Sequence, residues 1–391
     1  MISNINFQDK RVLLRVDYNV PIEDGTVIDN YRIKKSIPTI RHCLDNGASL
    51  TIMSHLGRPN GKDPNLSLLP VCDELENLLD INITFSSDCV SDKALLKSSQ
   101  LEPGQIHFLE NLRFYNEELT NDINFSQKLS FHGDVYINDA FGTAHRSHAS
   151  NVGVTKFFDE KSYGYLMEKE LHHLKNLIEN PFRPLTVVMG GAKITGKIEL
   201  IENFIEIADN IIIGGALSLP FLKSKNFDIH SPLLNNDSIS SADNLLKYAK
   251  KKNKELVLPC DFVTAHSLDD DQSIDIKLLN QIDKTSQCFD IGPETTMIFS
   301  NILSTSDTIL WNGPLGVCEN PYFATGTQQI CRIIEELTAN NVLTVLGGGD
   351  TASAANRFSV SGNFTHISTG GGAALELLSG KDLPAIKALN S

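Results

Sequence analysis

The sequence predicts an α/β fold with two parallel β-sheets, each covered by helices. Short runs of β-branched and apolar residues alternate with longer amphipathic stretches, which is typical of parallel sheets. The chain has 391 residues, a length that corresponds to two or three domains at roughly 150 residues each. We therefore expect two sheets of about five or six strands, because strongly twisted open sheets rarely exceed about ten strands.

Nine segments have the composition of strands: residues 11–16, 49–53, 106–109, 134–137, 185–189, 210–213, 255–258, 308–311 and 342–346. Helices are expected between them, and Ile198, Ile201, Ile205 and Ala208 recur at helical spacing. A further helical stretch, YGYLMEKELHHLKNLIE, ends at the prolines of NPFRP. The join between the domains is predicted here, at residues 160–185.

Charge and composition exclude several classes of protein. The formal net charge is −14, which argues against nucleic acid or an anionic membrane as the main partner. No apolar run approaches the roughly 20 residues of a membrane helix, and the N-terminal residues lack the pattern of a secretory signal. The seven cysteines form no CxxC pair, which favours a reducing cytoplasm without disulfides or a thiolate zinc site.

Polar or glycine-rich motifs follow most of the predicted strands directly. In the first half these are Asp17 with Asn19, SHLGR (54–58), ENLR (110–113) and NDAFGTAHR (138–146). In the second half they are GGAK (190–193), GGAL (214–217), NGPLG (312–316) and GGGDT (347–351). Open α/β sheets bind ligands at the carboxyl ends of their strands. The first edge, rich in arginine and histidine, is predicted to bind a small oxyanion, and the second, with Lys193 and Asp350, a nucleotide.

The distribution of arginine supports an anionic ligand in the first half. Seven of the ten arginines lie between Arg11 and Arg146, and the planar guanidinium suits phosphate and carboxylate. A solvated surface position remains an open alternative for Arg11, Arg15 and Arg41.

Three glycine-rich segments allow more than one interpretation. GAKITGK (191–197) is similar to a P-loop, but Ile198 replaces the Ser or Thr that would bind Mg²⁺. GGGDTA (347–352) matches GxGxxA of dinucleotide-binding folds, although that motif usually lies in the first βα turn. STGGGAALELL (368–378) predicts a helix start with free N–H groups for a phosphate, or a flexible joint. For each cluster, a tight turn without a ligand is the alternative.

Taken in order, these motifs resemble those of phosphoglycerate kinases. The matching segments are RVDYNVP, the YRI–PTI stretch, SHLGRP, LENLRF, NDAFGTAHRSHAS, GGAK, DIGP, WNGPLGV, GGGDTA and STGGGA. The resemblance implies two Rossmann-like domains joined by a helix and hinge, with a C-terminal segment that returns to the N-terminal domain. The implied ranges are 1–165 for the 3-phosphoglycerate domain, 166–370 for the nucleotide domain and 371–391 for the returning segment.

The resemblance also implies a reaction and its residues. The reaction is reversible phosphoryl transfer from 1,3-bisphosphoglycerate to ADP, which gives 3-phosphoglycerate and ATP, with Mg²⁺, in a cytoplasmic monomer. The implied substrate-binding residues are Asp17, Asn19, Arg32, His55, Arg58, Arg113 and Arg146. The implied nucleotide-binding residues are Lys193, Lys197, Gly214, Asn312, Glu319, Gly347, Gly348, Gly349, Asp350 and Thr351, with Asp350 also organising the metal. The implied catalytic residues are Arg32, Lys193, Gly348 and Gly371.

The expected mechanism is direct in-line transfer after the domains close, since phosphoryl transfer depends mainly on alignment and charge stabilisation. Individual residues have plainer alternatives: Arg113 as a surface ion pair, Asp17 as a turn former, His145 and His148 as structural histidines, and Asp350 as a helix cap. The family pattern is not followed at Gly196, Ala216 and Leu219–Pro220. These departures lie on the nucleotide side, so they bear on the expected nucleotide affinity and pocket shape and not on the reaction class.

Two other functions remain as alternatives. GGGDTA would suit an NAD-dependent dehydrogenase, which binding of NADH in place of MgADP would reveal. A non-catalytic sensor of nucleotide or oxyanion is the second alternative, but the presence of Arg32 and Lys193 favours an enzyme.

Overall fold

The computed structural model describes residues 2–391. The chain divides into two compact units. One unit runs up to His172 and also includes Asp382–Ser391, and the other comprises His173–Lys381. The point of division lies inside the helix Tyr165–Glu179.

The first unit is built around a parallel sheet of six strands in the order β5-β6-β4-β1-β7-β8. Its strands, with the short antiparallel pair β2 and β3, are β1 (Arg11–Arg15), β2 (Ile22–Glu23), β3 (Thr26–Val27), β4 (Ser49–Met53), β5 (Ile83–Ser86), β6 (Ile106–Leu109), β7 (Val135–Asn138) and β8 (Lys161–Tyr163). The helices are α1 (Tyr31–Asp45), α2 (Leu69–Leu79), α3 (Asp92–Ser99), α4 (Asn116–Leu119), α5 (Ile123–Ser130) and the start of α6 (Tyr165–Glu179).

The register of this sheet determines where its motifs lie. All five residues of β4 are buried, as expected for a central parallel strand. Arg15 at the end of β1 is opposite Met53 in β4 and Asn138 in β7. The loops that follow these three strands therefore begin side by side at one edge of the sheet.

The second unit contains another parallel sheet of six strands, in the order β11-β10-β9-β15-β16-β17, and a separate antiparallel sheet, β13-β12-β14. The strands are β9 (Leu185–Met189), β10 (Asn210–Ile213), β11 (Leu256–Val257), β12 (Asp261–Ala265), β13 (Asp275–Leu278), β14 (Gln287–Ile291), β15 (Thr308–Asn312), β16 (Leu343–Gly347) and β17 (His366–Ile367). The helices are the end of α6, then α7 (Ile198–Ile207), α8 (Leu219–Ser224), α9 (Asn236–Lys251), α10 (Pro293–Leu303), α11 (Thr325–Ala339), α12 (Gly349–Phe358) and α13 (Gly372–Leu378).

The last helix, α14 (Pro384–Leu389), packs on the first unit. The N–H of Ala385 donates to the carbonyl of Ala144 at 3.0 Å, and the hydroxyl of Tyr163 donates to Asn390 Oδ1 at 2.7 Å. Leu389 belongs to the same apolar cluster as Phe125 and Tyr136. This apolar contact, together with the two hydrogen bonds, holds the C-terminal helix on the unit.

The predicted fold class is confirmed, and each of the nine predicted strands is present with small shifts at its ends. The sequence analysis missed the edge strands β5, β8 and β17 and the strands of the antiparallel sheet. Within residues 2–391, no helix is both long and apolar enough to cross a membrane.

Candidate active site

Three of the predicted substrate residues meet at the carboxyl edge of the first unit's sheet. Asp17 follows β1, and its carboxylate accepts a hydrogen bond from the guanidinium of Arg32 in the first turn of α1. His55 follows β4, and its Nδ1 lies 3.7 Å from Asp17 Oδ1. Asp17 and His55 are buried, whereas the side chain of Arg32 is 31% exposed. The arginine is thus accessible to a ligand while one carboxylate holds it in place.

Two further predicted residues hold the loop after β4 from both sides. Asn19 Oδ1 accepts the N–H of Gly57 at 2.9 Å, and the guanidinium of Arg113 donates to the carbonyl of Gly57. Gly57 has φ = 60°, a left-handed conformation that glycine adopts at little cost. Arg58 comes next and is exposed. The loop therefore presents Arg58 at the same edge.

One donor of Arg113 has no partner in the part of the chain that the structure describes. Its Nε is buried and has no hydrogen-bond partner among residues 2–391, and no carboxylate in that part of the chain forms an ion pair with it, so the alternative of a surface ion pair is wrong. Burial, followed by the charges of Arg15 and Arg146, lowers the pKa of Arg113. An unsatisfied buried donor among cations is the arrangement expected of an anion-binding site.

Two histidines of this edge, His55 and His148, are neutral near pH 7. Burial lowers the pKa of His55 well below its ordinary value, and the charge of Arg15 lowers it further. Burial, followed by the charge of Arg15, lowers the pKa of His148 to about 4. Both rings therefore act as hydrogen-bonding groups, and the positive charge of the edge comes from its arginines.

For Arg15, the open alternative of a solvated position is wrong. Arg15 is 0% exposed. Its Nε donates to Ser150 Oγ at 2.9 Å and its Nη2 to His55 Nδ1 at 3.3 Å. Arg11, by contrast, is partly exposed and forms an ion pair with Asp134 at 2.6 Å. The end of β1 thus adds a fully buried cation beneath the edge.

The second unit contains a cavity of about 610 Å³. Its lining includes Gly191, Leu233, Leu268, Phe289, Val317, Glu319, Asp350, Ser353, Ala354 and Arg357. Apolar side chains thus line part of the cavity, and Glu319 and Asp350 are charged groups in its wall. An apolar cavity with a few polar groups is typical of small-molecule sites.

Helix α12 contributes one face to this cavity. Asp350, Ser353, Ala354 and Arg357 all line it, and the spacing i, i+3, i+4 and i+7 places them on one side of the helix. Gly348, directly before α12, has φ = 95°, a conformation that L-residues rarely adopt. The glycine therefore allows the chain to turn from β16 into the helix that lines the cavity.

Close backbone contacts hold together the loops after β9 and β15. The N–H of Gly190 donates to the carbonyl of Asn312 at 2.9 Å, and that of Gly191 to the carbonyl of Pro314 at 2.8 Å. A Cβ atom at Gly190 would lie 2.1 Å from the carbonyl oxygen of Pro314. A glycine is therefore required here for the two strand ends to approach.

Asn312 and Thr351, both predicted to bind nucleotide, are buried and bind backbone atoms. Asn312 Nδ2 donates to the carbonyl of Gly347 at 2.8 Å, and Thr351 Oγ1 accepts the N–H of Gly313 at 2.7 Å. Asn312 thus connects β15 to the end of β16, and Thr351 connects the first turn of α12 to the loop after β15.

The two lysines that were predicted to bind nucleotide, Lys193 and Lys197, differ in their environment. Lys193 is exposed, whereas Lys197 is half-buried and its Nζ donates to the carbonyl of Gly190 at 2.6 Å. Burial lowers the pKa of Lys197 to about 8, while the negative charge of Asp350 opposes this shift. The two lysines and Asp350 thus belong to the same end of the sheet.

Among the remaining glycines, Gly214 and Gly347 are buried, while Gly349 is exposed at the first turn of α12. Gly371 directly precedes α13 and has φ = 45°.

Of the positions that depart from the family pattern, Ala216 lines the cavity, and Leu219 and Pro220 are buried in α8. A Cβ atom at Gly196 would have no neighbouring atom of residues 2–391 within 4 Å.

The carboxylate of Asp350 has the chemistry to bind Mg²⁺. It is exposed in the first turn of α12, at the wall of the cavity. No group of three or more His, Cys, Asp or Glu side chains in residues 2–391 has the arrangement of a metal site. Mg²⁺ is usually bound by one or two protein carboxylates together with phosphate and water. A single carboxylate therefore suits a nucleotide-bound metal.

Three comparisons with known proteins agree on one family. The family model described as "Phosphoglycerate kinase" matches residues 2–381. This chain belongs to the phosphoglycerate kinase family. A phosphoglycerate kinase of Prosthecochloris aestuarii is 42% identical over 391 residues, which are 100% of this chain and 98% of the relative. The structure of phosphoglycerate kinase from Coxiella burnetii matches with 35% identity and a TM-score of 0.89, over 99% of this chain and 97% of that one.

A second solved structure, phosphoglycerate kinase from Pyrococcus horikoshii, matches with 32% identity and a TM-score of 0.83, over 99% of this chain and 98% of that one. The resemblance inferred from the motifs is thereby confirmed. The reaction of the family is reversible phosphoryl transfer between 1,3-bisphosphoglycerate with ADP and 3-phosphoglycerate with ATP, in glycolysis. The chain is therefore a kinase of this class.

The sequence analysis missed several residues that line the cavity of the second unit. The helical spacing from Asp350 would have indicated Ser353, Ala354 and Arg357, which share a face of α12. Leu233 and Leu268, which form part of the apolar lining of the cavity, lie in loops that contain no recognisable motif. Such residues become neighbours only through the fold.

Proposed function

We propose that 3-phosphoglycerate or 1,3-bisphosphoglycerate binds at the arginine-rich edge of the first unit and that ADP or ATP binds in the cavity of the second. The observation that carries the first half of this assignment is the unpaired buried Nε of Arg113, whose guanidinium contacts the loop after β4 at the edge where Asp17 meets Arg32 and His55. An apolar cavity offers surface for a nucleobase, whereas the arginine edge suits phosphate and carboxylate.

At the first edge, Asp17 and Asn19 hold the glycerate's polar groups. His55, Arg58, Arg113 and Arg146 bind the carboxylate and the phosphate that is not transferred. Arg32 contacts the carboxyl end and stabilises the phosphoryl group in transit. The exposure of Arg32 and Arg58 supports these roles, since each is accessible to a ligand.

In the second unit, Lys193 and Lys197 bind the nucleotide and transferring phosphates, and Glu319 binds near the ribose. The N–H groups after Gly348 and Gly371, at the starts of α12 and α13, face the phosphates because helix N-termini attract anions. Gly214, Gly347, Gly349, Asn312 and Thr351 shape this site. Asp350 holds Mg²⁺, which when bound neutralises phosphate charge.

The phosphoryl group passes directly between the acyl phosphate oxygen and the β-phosphate oxygen of ADP, without a covalent protein intermediate. Alignment and charge stabilisation by Arg32, Lys193 and the two helix starts lower the barrier. Because the ligands bind to different units, the reaction requires a closure movement that aligns them and excludes water. The helix Tyr165–Glu179 and the segment around Gly371 are the proposed hinges. We further propose that the enzyme is a monomer of the cytoplasm.

Separate titrations of the two ligands test this assignment. We expect Arg113→Ala to weaken binding of 3-phosphoglycerate while MgADP affinity is unchanged, and Asp350→Asn to do the reverse. Isothermal titration calorimetry measures both affinities, and a coupled assay with 3-phosphoglycerate and MgATP measures activity. A weaker affinity for the opposite ligand in either variant would contradict the assignment, and NADH binding in place of MgADP would support a dehydrogenase.

A further inference from the structure

A carboxylate that the proposed function does not use lies buried beneath the arginine edge. Glu118, in the short helix α4, is 0% exposed. Its Oε2 accepts the N–H of Ser150 at 2.8 Å, and its Oε1 accepts the hydroxyl of Ser150 at 2.6 Å. A buried carboxylate is costly unless it is hydrogen-bonded and its charge is compensated. The compensating cation is found on the other side of Ser150.

Ser150 connects this carboxylate to Arg15. The serine lies in a π-helical turn, Ala149–Gly153, and is also fully buried. Its single hydroxyl proton goes to Glu118, so its oxygen accepts the N–H of Arg15 Nε at 2.9 Å. A carboxylate only accepts and a guanidinium only donates. The direction of each hydrogen bond in this chain is therefore determined.

The chain continues from Arg15 to His55. Arg15 Nη2 donates to His55 Nδ1 at 3.3 Å, which requires a lone pair on Nδ1. In a neutral imidazole the other nitrogen then carries the proton. His55 Nε2 forms no hydrogen bond with any residue of 2–391. It is the ring nitrogen that remains available to donate to a ligand.

We propose that Glu118 is a positioning residue: through Ser150 and Arg15 it holds His55 in the tautomer that donates from Nε2 to the carboxylate or phosphate of the substrate. The inference rests on the proposed function, in which His55 binds 3-phosphoglycerate. In functional sites, the tautomer and orientation of a histidine are commonly determined by residues that hydrogen-bond to the groups around the ring and do not contact the ligand themselves.

The charges around the ring agree with this role. Burial keeps His55 neutral, and the charges of Arg15, Arg113 and Arg32 all oppose its protonation. Asp17 is the carboxylate near the ring, at 3.7 Å from Nδ1, and it already forms an ion pair with Arg32. Glu118 supplies the buried negative charge on the opposite side of Arg15, and so favours the guanidinium position that contacts His55.

Nitrogen NMR of the histidine rings tests the tautomer directly. In the wild-type protein, we expect the Nδ1 of His55 to have the chemical shift of an unprotonated nitrogen and Nε2 that of a protonated one. In Glu118→Gln, the amide replaces an acceptor with a donor towards Ser150, so we expect His55 to exchange between both tautomers. A protonated Nδ1 in the wild-type protein would overturn the inference without any variant.

Two serine variants complete the experiment. Ser150→Ala removes only the connecting hydroxyl and serves if Glu118→Gln does not fold. Ser126→Ala is the matched control, because Ser126 is also 0% exposed and its hydroxyl donates to the carbonyl of Asp122 at 2.7 Å, apart from this chain. We expect the tautomer to change in Ser150→Ala and to be retained in Ser126→Ala. An unchanged His55 spectrum in both Glu118→Gln and Ser150→Ala would overturn the inference.

Kinetics separate this inference from the proposed function. We expect Glu118→Gln and Ser150→Ala to raise KM for 3-phosphoglycerate roughly tenfold, the scale of losing a buried polar partner, with kcat and the KM for MgATP little changed. A changed tautomer with an unchanged KM for 3-phosphoglycerate would refute the role of His55 in substrate binding, and with it the positioning role in the reaction. A raised KM with an unchanged tautomer would overturn this inference and leave the proposed function intact.

Discussion

At the scale of single residues, Arg32 combines exposure with a fixed position. Its guanidinium is held by the buried carboxylate of Asp17, yet 31% of its side chain is exposed. A charged group that is held in place before the reaction reorganises little as charge develops, and this favours the transition state over the bound substrate. Arg32 is therefore the residue of the first unit to which we assign transition-state stabilisation.

We expect Arg32→Ala to reduce kcat by about two to three orders of magnitude, the scale of losing one preorganised charge-stabilising group. Arg113→Ala removes a proposed contact with the phosphate that is not transferred, and it should therefore mainly raise KM for 3-phosphoglycerate. Arg32→Lys should restore little, because a point charge does not reproduce the planar guanidinium. Steady-state kinetics on the three variants measures these effects.

Thermal melts are the control, because Arg32→Ala leaves the buried carboxylate of Asp17 without its ion-pair partner. A modest loss of stability is expected. A near-normal kcat with only a raised KM would show that Arg32 is a substrate clamp, and transition-state stabilisation would then belong to Lys193 and the helix starts.

Lys197 predicts a pH dependence of nucleotide affinity. Burial lowers its pKa to about 8, so its ammonium is charged below that pH and loses its proton above it. We expect the affinity for MgADP to fall as pH rises through about 8 and the positive charge is lost. Calorimetric titrations across this range, with Lys197→Arg as the permanently charged control, measure the effect. The same pH profile in both proteins would exclude Lys197 as its cause.

At the scale of secondary-structure elements, a buried polar network joins α3, β6 and the segment after α5. Ser98 Oγ lies 2.7 Å from His107 Nδ1 and 2.6 Å from His132 Nδ1. His132 Nε2 contacts the carbonyl of Cys89 at 2.8 Å, so Nε2 carries the proton and Nδ1 accepts the serine hydroxyl. His107 must then donate from Nδ1 to Ser98, while its Nε2 accepts from Ser86. With both rings neutral, each contact of the network therefore pairs one donor with one acceptor.

This network predicts acid sensitivity of the first unit. Burial is the main cause that lowers the pKa of His107 to about 3 and that of His132 to about 4. The unfolded chain binds these protons at its ordinary histidine pKa of about 6.5, so stability falls as pH decreases below about 6.5. The loss should be as much as about 1.4 kcal/mol per pH unit for each ring.

Chemical denaturation between about pH 7 and about pH 5 measures this slope. The double variant His107→Gln/His132→Gln, which cannot titrate, should show a shallower dependence on pH even if it is less stable throughout. An equally steep slope in the double variant would assign the acid sensitivity to other groups.

At the scale of the whole molecule, the second unit has its own sheets and its own apolar core. Val188, Trp311 and Phe299 belong to one buried cluster, and the cavity is lined entirely by residues of this unit. A fragment of residues 165–381, which keeps the helix Tyr165–Glu179 intact, should therefore fold and bind MgADP. Circular dichroism and a cooperative thermal melt establish its folding, and calorimetry its binding. A folded fragment that does not bind, beside a full-length protein that does, would contradict the assignment of the nucleotide to this unit.

Much of this fold and part of the site could be predicted from local sequence. The central strands are continuous buried runs bounded by glycine or polar residues, and β4 and β9 have the bounds predicted for them. The edge strands β5, β8 and β17 were missed because short segments of mixed composition become strands only by pairing with a neighbour. The motifs at the strand ends predicted the two ligand edges, since parallel strands bring their carboxyl ends together.

The α/β class, the family resemblance and the residue types available at each edge could be read from the sequence alone, because periodicity, turn residues and ordered motifs are local properties of the chain. The burial of Arg15 and its connection to Glu118 through Ser150 arise only when the chain folds. Likewise, loops without motifs, such as those that contain Leu233 and Leu268, line one cavity because the fold brings them together. Hydrogen bonds between buried groups join residues more than 100 positions apart, such as Arg15 and Ser150. No local pattern of the sequence encodes such a pairing.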